Sequence, residues 1–108
     1  MAEDTRRFDV MGVLDATGKT IKTSVITVTA VAALIPTENL KNRKALSIRN
    51  WSDTETVYIG TDSVTVVTGY PILPKEPFPL DLGSGSNVYA ICDTGQTAEV
   101  RIIEVDNG

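Results

Sequence analysis

Acidic side chains are the residues of this chain best suited to catalysis, because a pair of carboxylates can serve as general acid and general base. The candidates fall mostly in polar stretches between apolar runs: Asp53, Glu55, Asp62, Asp81 and Asp93. Carboxylates in turns usually bond to the nearby backbone, and a domain of this size encloses little space from which water is excluded. The sequence has no histidine, which removes Ser-His-Asp, Cys-His and imidazole-metal chemistry. We therefore expect no enzymatic activity.

Metal and redox chemistry has few candidate ligands. Cys92 is the only cysteine, so neither an internal disulfide nor a cysteine-based zinc site can form. It lies in the apolar run 88–92, where we expect a small buried hydrophobe rather than a reactive thiol. The acidic turns lack the Asp-x-Asp-x-Asp-Gly spacing of a calcium loop. We expect no metal site and no cofactor.

Basic side chains are concentrated between residues 41 and 49, where the chain carries Lys41, Arg43, Lys44 and Arg49. Such a cluster can contact phosphate or an acidic protein surface. Alternatively it is a solvated loop in which Arg43 bonds to loop carbonyls and holds the entry of a strand. Nucleic-acid binding is not expected, because the chain has a net charge of −4 and lacks interleaved exposed aromatics. Contact with an acidic protein partner stays open.

Trp51 is the only tryptophan. It ends an alternating run, 44–51, on the strand face opposite Leu46 and Ile48. A large aromatic side chain on that face is a candidate anchor for a protein interface. Trp51 could equally cover the end of the domain, and the sequence leaves both roles open.

Length and composition indicate one small all-β domain. The chain has 108 residues, enough for a single core. Thr, Val and Ile supply 35 of them, and these β-branched residues favour strands. No apolar run approaches the roughly 20 residues of a membrane span. We therefore expect neither a membrane nor a nucleic acid among the partners.

From Thr20 onward, short apolar runs alternate with turn residues, a pattern typical of an antiparallel sandwich or barrel. The predicted strands cover 24–35, 44–51, 56–59, 64–68, 87–92 and 97–105, and their close spacing favours hairpins. In the run 44–51, Leu46, Ile48 and Asn50 share one face. The predicted core consists of Leu46, Ile48, Val57, Ile59, Leu80, Leu82, Ile91, Val100 and Ile102.

Four prolines lie between residues 70 and 82: Pro71, Pro74, Pro77 and Pro79. Proline donates no backbone hydrogen bond, so this stretch is predicted to run along a sheet edge or as an extended connection. A turn is expected at 74–76. A proline-rich signalling ligand is disfavoured, because the apolar residues between the prolines are typical of core anchors.

These patterns predict the domain organisation. Residues 1–19 form an N-terminal arm, and residues 20–108 form a single antiparallel β-sandwich or jelly-roll-like barrel. Arms of this kind either extend freely or bind a partner. The first residues lack the apolar stretch of a secretory signal, which predicts synthesis and folding in the cytoplasm.

Several short motifs follow one another along the chain in an order that is also found in a known class of proteins. Arg43 precedes the Leu-x-Ile-x-Asn segment 46–50, and a Tyr-Ile-Gly segment follows at 58–60. A Pro-x-Glu turn at 74–76 and a Tyr-Ala-Ile segment at 89–91 come next, before the closing strand. In this order the chain, over residues 24 to 105, resembles small virion proteins of tailed bacteriophages. Lys75 stands where the usual turn of these proteins has glycine.

The resemblance implies a non-enzymatic virion structural protein, specifically a capsid decoration or cement protein that binds and stabilises the assembled head shell. Its partners would be the major capsid protein or other virion subunits, with self-association into a dimer or trimer. It would be made in the host cytoplasm and lie on the head surface of the virion. Alternatives are a tail, baseplate or fibre component and a carbohydrate- or ligand-binding β-module. The candidate contact residues are Arg6, Arg7, Phe8, Lys41, Arg43, Lys44 and Trp51.

Overall fold

The computed structural model describes residues 20–106, which form eight β-strands. These strands make two antiparallel sheets of four strands each, so the all-β prediction is confirmed. The strands are β1 (Ile21–Val28), β2 (Ala33–Ile35), β3 (Arg43–Asn50), β4 (Val57–Gly60), β5 (Tyr70–Ile72), β6 (Pro77–Leu80), β7 (Val88–Ile91) and β8 (Ala98–Asp106). The predicted arm and its residues Arg6, Arg7 and Phe8 lie outside the described residues.

The strand order is that of a jelly roll. Sheet I has the order β1-β8-β3-β6, and sheet II has the order β2-β7-β4-β5. Strand β1 pairs with β8, β2 with β7, β3 with β6 and β4 with β5. The chain is therefore a long hairpin rolled up so that successive strands, β4 and β5 excepted, alternate between the two sheets.

Two predictions about strands are wrong. Residues 24–35 are not one strand, because the chain bends at 29–32 and passes from β1 in sheet I to β2 in sheet II. Residues 64–68 form a turn, in which the Thr65 hydroxyl accepts hydrogen bonds from the amides of Val67 (3.3 Å) and Thr68 (3.1 Å). Gly69 closes this loop, and a Cβ there would lie 2.6 Å from the Cβ of Tyr58.

The predicted hairpins are also mostly wrong. Of the consecutive strands, β4 and β5 are the pair that share a ladder, while the other connections cross between the sheets. Short loops are compatible with both arrangements, since the sheets of a sandwich lie only about 10 Å apart. Turn length therefore did not distinguish a hairpin from a crossing.

The proline-rich stretch forms edge strands, as predicted. Pro71 lies in β5, the edge of sheet II, while Pro77 and Pro79 lie in β6, the edge of sheet I. An edge strand tolerates proline because its outward N–H groups have no ladder partner. The rings of Tyr70 and Phe78 join these two edges, with their centroids 4.9 Å apart.

The core lies between the sheets and contains most of the predicted residues. Leu46, Ile48, Val57, Ile59, Val100 and Ile102 are buried, and Leu80 and Leu82 pack against them partly exposed. The prediction for Ile91 is wrong. In β7 the inward residues are Val88 and Ala90, followed just after the strand by Cys92. Ile91 therefore lies on the opposite face, beside Tyr58 of β4.

Arg43 and Asn50, at the two ends of β3, are buried and bond to loops. All five N–H groups of the Arg43 guanidinium donate, to Glu104, Asn39 and the carbonyls of Leu82, Gly83 and Ser86, at 2.8–3.1 Å. The Asn50 side chain donates to the carbonyls of Glu55 (2.7 Å) and Ile72 (2.9 Å). Each residue thus holds the loops at its own end of the sandwich.

The burial of Arg43 corrects the prediction that it contacts a partner. Its side chain and that of Glu104 are both fully buried, with Nη1 2.9 Å from Oε2. The bonds to loop carbonyls confirm one part of the alternative prediction, whereas its solvated setting is wrong for Arg43, which is buried in β3. Glu104 Oε2 also accepts from the Leu40 amide (2.9 Å), whereas Oε1 is buried without a hydrogen-bond partner in the described chain. The carboxylate therefore depends on Arg43 for its neutralisation.

We expect Ile48→Ala to lower the free energy of unfolding by about 2–5 kcal/mol, because it removes atoms from the closed interior. The matched variant Ile91→Ala should cost less than half as much, since Ile91 lies on an outer sheet face. Urea denaturation of both variants measures the difference. Equal losses would contradict the strand register of β7.

We expect Arg43→Met to lower the free energy of unfolding by about 3–5 kcal/mol, because it leaves the Glu104 carboxylate buried and unpaired. Replacing both partners, as Arg43→Met with Glu104→Leu, should recover only part of this loss, since three loop carbonyls still lack their donor. The neighbouring Lys44→Met is the control and should stay within about 0.5 kcal/mol of wild type. Urea denaturation that gave Arg43→Met the same stability as Lys44→Met would show that the buried pair is dispensable.

Candidate functional site

Sheet I has longer strands than sheet II and therefore the larger outer face. Alternate residues of its four strands point away from the core, and the ladder aligns them in rows. One row contains Thr23, Ile103, Ser47 and Pro79, and the next contains Val25, Arg101, Arg49 and Pro77. Apart from the two arginines, these rows consist of uncharged side chains. Ile21 and Val25 are 47% and 61% exposed.

This face contains a shallow trough along β3, one of its two central strands, because the outward side chains of Ala45 and Ser47 are small. The outward side chains of β8 border this strand on one side and the prolines of β6 on the other. Ser47 and Ile103 line both an open depression of about 490 Å³ and a smaller one of about 50 Å³. The larger depression reaches Arg49 and Arg101 at the end of the trough.

Four side chains at that end make up what we call the Trp51 cluster: Arg49, Trp51, Lys75 and Arg101. The Trp51 ring has Lys75 Nζ at 4.1 Å, Arg101 Cζ at 5.0 Å and Arg49 Cζ at 5.9 Å from its centroid. All three distances are within the range of cation–π contacts. Trp51 remains 42% exposed, so the cluster is accessible to a partner.

The strand register builds most of this cluster. Arg49 and Arg101 lie directly opposite each other on β3 and β8. The Trp51 amide donates to the Glu99 carbonyl at 2.9 Å, which continues the same ladder by one step. Since residues 49 and 51 follow the outward alternation of β3, the indole comes to lie beside both guanidinium groups. This confirms the predicted placement of Trp51 on the non-core face.

Lys75 reaches the ring from a tight turn. Pro74 and Lys75 are its central residues, Lys75 has a φ of 66°, and the Glu76 amide donates to the Leu73 carbonyl at 3.0 Å. A positive φ at this position normally selects glycine. Lys75 instead donates from Nζ to the Trp51 carbonyl at 2.9 Å. This contact holds Lys75 in the turn in spite of the backbone cost of its conformation.

The charges of the cluster are only partly compensated. Lys75 Nζ lies 3.3 Å from Asp53 Oδ1, and Arg101 pairs with Glu99. Arg49, in contrast, has no carboxylate within ion-pair distance among residues 20–106. Two like charges directly opposite on neighbouring strands repel each other. Three cations with two carboxylate partners leave the cluster with a net positive charge, on a chain whose net charge is −4.

The remaining basic residues do not join this site. Lys41 and Lys44 lie at the other end of β3, where Lys41 is exposed and Lys44 half-buried. Five residues of strand, or about 17 Å, separate Lys44 from Arg49. The predicted basic cluster 41–49 therefore does not exist as one surface.

Sequence reasoning missed Arg101 and Lys75 as members of the site. Arg101 belongs to the site because it lies opposite Arg49, and this position depends on the non-local ladder between β3 and β8. Lys75 could have been identified from the sequence, because a lysine in the glycine position of a Pro-x-Glu turn is conformationally costly. Such a cost indicates that the side chain has a role there.

The other predicted chemical groups are placed as follows. Cys92 is buried, and its Sγ lies 3.4 Å from the Val28 carbonyl oxygen, which confirms it as a core residue. Burial, with smaller contributions from Glu55 and Asp93, raises the pKa of its thiol above the ordinary value. In the chain between Thr20 and Asp106, no group of three or more metal-ligating side chains comes together. That part also contains no helix able to span a membrane.

Comparison with known proteins gives no match: no family model fits the chain, and no curated protein or solved structure is detectably similar to it.

We expect Lys75→Gly to be more stable than Lys75→Ala by about 1 kcal/mol, because alanine keeps the cost of a positive φ and glycine removes it. Both variants should increase quenching of Trp51 fluorescence by acrylamide, since both uncover the ring. Thermal unfolding and quenching measure the two effects separately. Equal stability of the two variants, or unchanged quenching in both, would show that Lys75 is not held in this turn against Trp51.

Proposed function

We propose that this protein is a virion structural protein, specifically a decoration or cement protein that binds the assembled head shell. Contact would be made through the outer face of sheet I and the Trp51 cluster. The observation that supports this most is the combination of a broad uncharged sheet face with an exposed tryptophan and two arginines at one end. Aromatic residues and arginine are enriched where protein interfaces concentrate their binding energy.

The fold is suited to such a role. The outer face belongs to a four-stranded ladder, so its backbone is already ordered and pays no ordering cost on binding. Two sheet edges are protected by proline, in β5 and β6, which limits unspecific edge-to-edge association. Jelly rolls are also a recurrent architecture of capsid proteins.

The resemblance of residues 24–105 to small virion proteins of tailed bacteriophages supplies the second support. It implies the major capsid protein or another virion subunit as partner. A decoration protein that contacts two or more shell subunits gains affinity from the linked contacts, and self-association into a dimer or trimer would add to this gain. Binding would then require correctly spaced subunits in an assembled shell.

The geometry of Trp51 disfavours carbohydrate binding. Sugar-binding aromatic residues stack a free ring face on the ligand, whereas Lys75 Nζ is 4.1 Å from the centroid of the Trp51 ring. A sugar stacking on that face of the ring would have to displace this cation. A protein partner can instead contact the exposed part of the indole together with the arginines.

Co-sedimentation with empty capsids tests the proposal. The wild-type protein should pellet with particles, and Trp51→Ala should weaken binding by roughly 30-fold, as the loss of about 2 kcal/mol would. Val25→Asp, in the outer face of sheet I, should also weaken binding. Val67→Asp is the matched control, since Val67 is 88% exposed but lies in the loop between β4 and β5, and it should bind like wild type.

Three outcomes would contradict parts of the proposal. If the wild-type protein never pellets with particles, the decoration role is wrong. If Trp51→Ala and Val25→Asp pellet like Val67→Asp, the contact surface is wrong. If purified virions contain only a few copies per particle rather than a number close to that of the shell subunit, the protein is a tail, baseplate or fibre component instead.

A further inference from the structure

We infer that the Trp51 cluster is a binding site for the carboxylate of an aspartate or glutamate, presented by an extended segment of a partner protein that lies in the trough of sheet I. This inference rests on the proposed function for the identity of the partner as another protein. It adds the chemistry of the contact, which neither the fold nor the resemblance specifies.

Arg49 is the residue that takes the carboxylate. Its guanidinium donates no hydrogen bond and forms no ion pair within residues 20–106, although it is exposed on the sheet. A guanidinium presents paired N–H groups whose spacing matches a carboxylate. The other two cations already have Asp53 and Glu99 as partners. One incoming carboxylate therefore completes the charge pairing of the cluster.

Two local costs in the free protein support a ligand at this place. Arg49 and Arg101 are paired directly across β3 and β8, where like charges destabilise the sheet. Lys75 adopts a φ of 66° beside the same ring. Unfavourable features of this kind persist at functional sites. A bound carboxylate would relieve the repulsion, so the cluster is more stable occupied than empty.

The trough determines the form of the ligand. From Arg49 and Arg101 it continues over Ser47 and Ile103 to Ala45, which spans about 14 Å of strand. An extended peptide of about four residues has this length. Ser47 and Thr23 offer hydroxyl groups to its main chain, while Ile103 and Val25 offer apolar contact to its side chains. A short β-branched segment with one terminal acidic residue fits these features.

A polyanion fits the site less well. Asp53 and Glu99 lie within the cluster, and the chain as a whole has a net charge of −4. Both repel the successive phosphates of a nucleic acid. A single carboxylate meets the one unpaired guanidinium without placing further negative charge against these acids. We therefore take an acidic protein segment as the ligand and use nucleic acid as an outcome of the test.

Because Trp51 is the only tryptophan, its fluorescence reports binding directly. The probe is the peptide acetyl-Thr-Val-Thr-Val-Glu-amide, whose acidic residue is terminal, titrated into the full chain at low salt, with the glutamine analogue as comparison. The glutamate peptide should bind about tenfold more tightly than its analogue. This preference should shrink at high salt. Arg49→Gln should abolish it, and Lys41→Gln, which removes a positive charge at the other end of β3, should preserve it.

Several results would overturn the inference. Equal binding of the two peptides by wild type, or an unchanged preference in Arg49→Gln that is folded by circular dichroism, removes the carboxylate site. Tighter binding of a thymidine oligonucleotide than of the glutamate peptide assigns the cluster to nucleic acid instead.

The two proposals can fail independently. If the protein pellets with capsids and Arg49→Gln pellets equally well, the decoration role stands and the carboxylate site is wrong. If the glutamate peptide binds selectively but the protein never pellets with capsids, the carboxylate site stands and the decoration role is wrong.

Discussion

The buried ion pair between Arg43 and Glu104 is the contact on which the sandwich most depends. It joins β3 to β8, the two central strands of sheet I, at the Arg43 end of β3, and the same guanidinium bonds to three carbonyls of the loop between β6 and β7. A buried charge is tolerated only where its hydrogen bonds are made. The pair therefore requires both the loop before β3 and the loop between β6 and β7 to be in place. This requirement couples the loops at one end of the sandwich to the two central strands of sheet I.

Strand β3 connects this interior to the outer surface. Its alternation places Leu46 and Ile48 in the core, while Ala45, Ser47 and Arg49 point outward. The inward residues fix the position of the strand and thereby the positions of the outward ones, which line the trough. The interaction surface that we propose thus includes the outer side of a central strand whose inner side is buried in the core.

Much of the fold was predictable because local physics determined it. The edge position of the prolines followed from their missing N–H groups, and the inward position of Asn50 followed from the period of two in the run 44–51. The errors share a different origin. The single strand at 24–35, the strand at 64–68 and the inward side chain of Ile91 were each inferred from apolar residues alone. Crossings between sheets, hydroxyl-stabilised turns and outer sheet faces also contain such residues.

By itself, the sequence determined an all-β domain with one core, proline-protected edges, a buried cysteine and a tryptophan on the non-core face. These properties depend on residue type and on neighbours within a few positions. The tertiary structure alone decided that Arg43 is internal, and that Arg49, Trp51, Lys75 and Arg101 meet at one end of sheet I. The physical reason is the register of ladders between strands far apart in the chain. Residues 49 and 101 become neighbours only when the rolled hairpin closes, and no local pattern encodes that alignment.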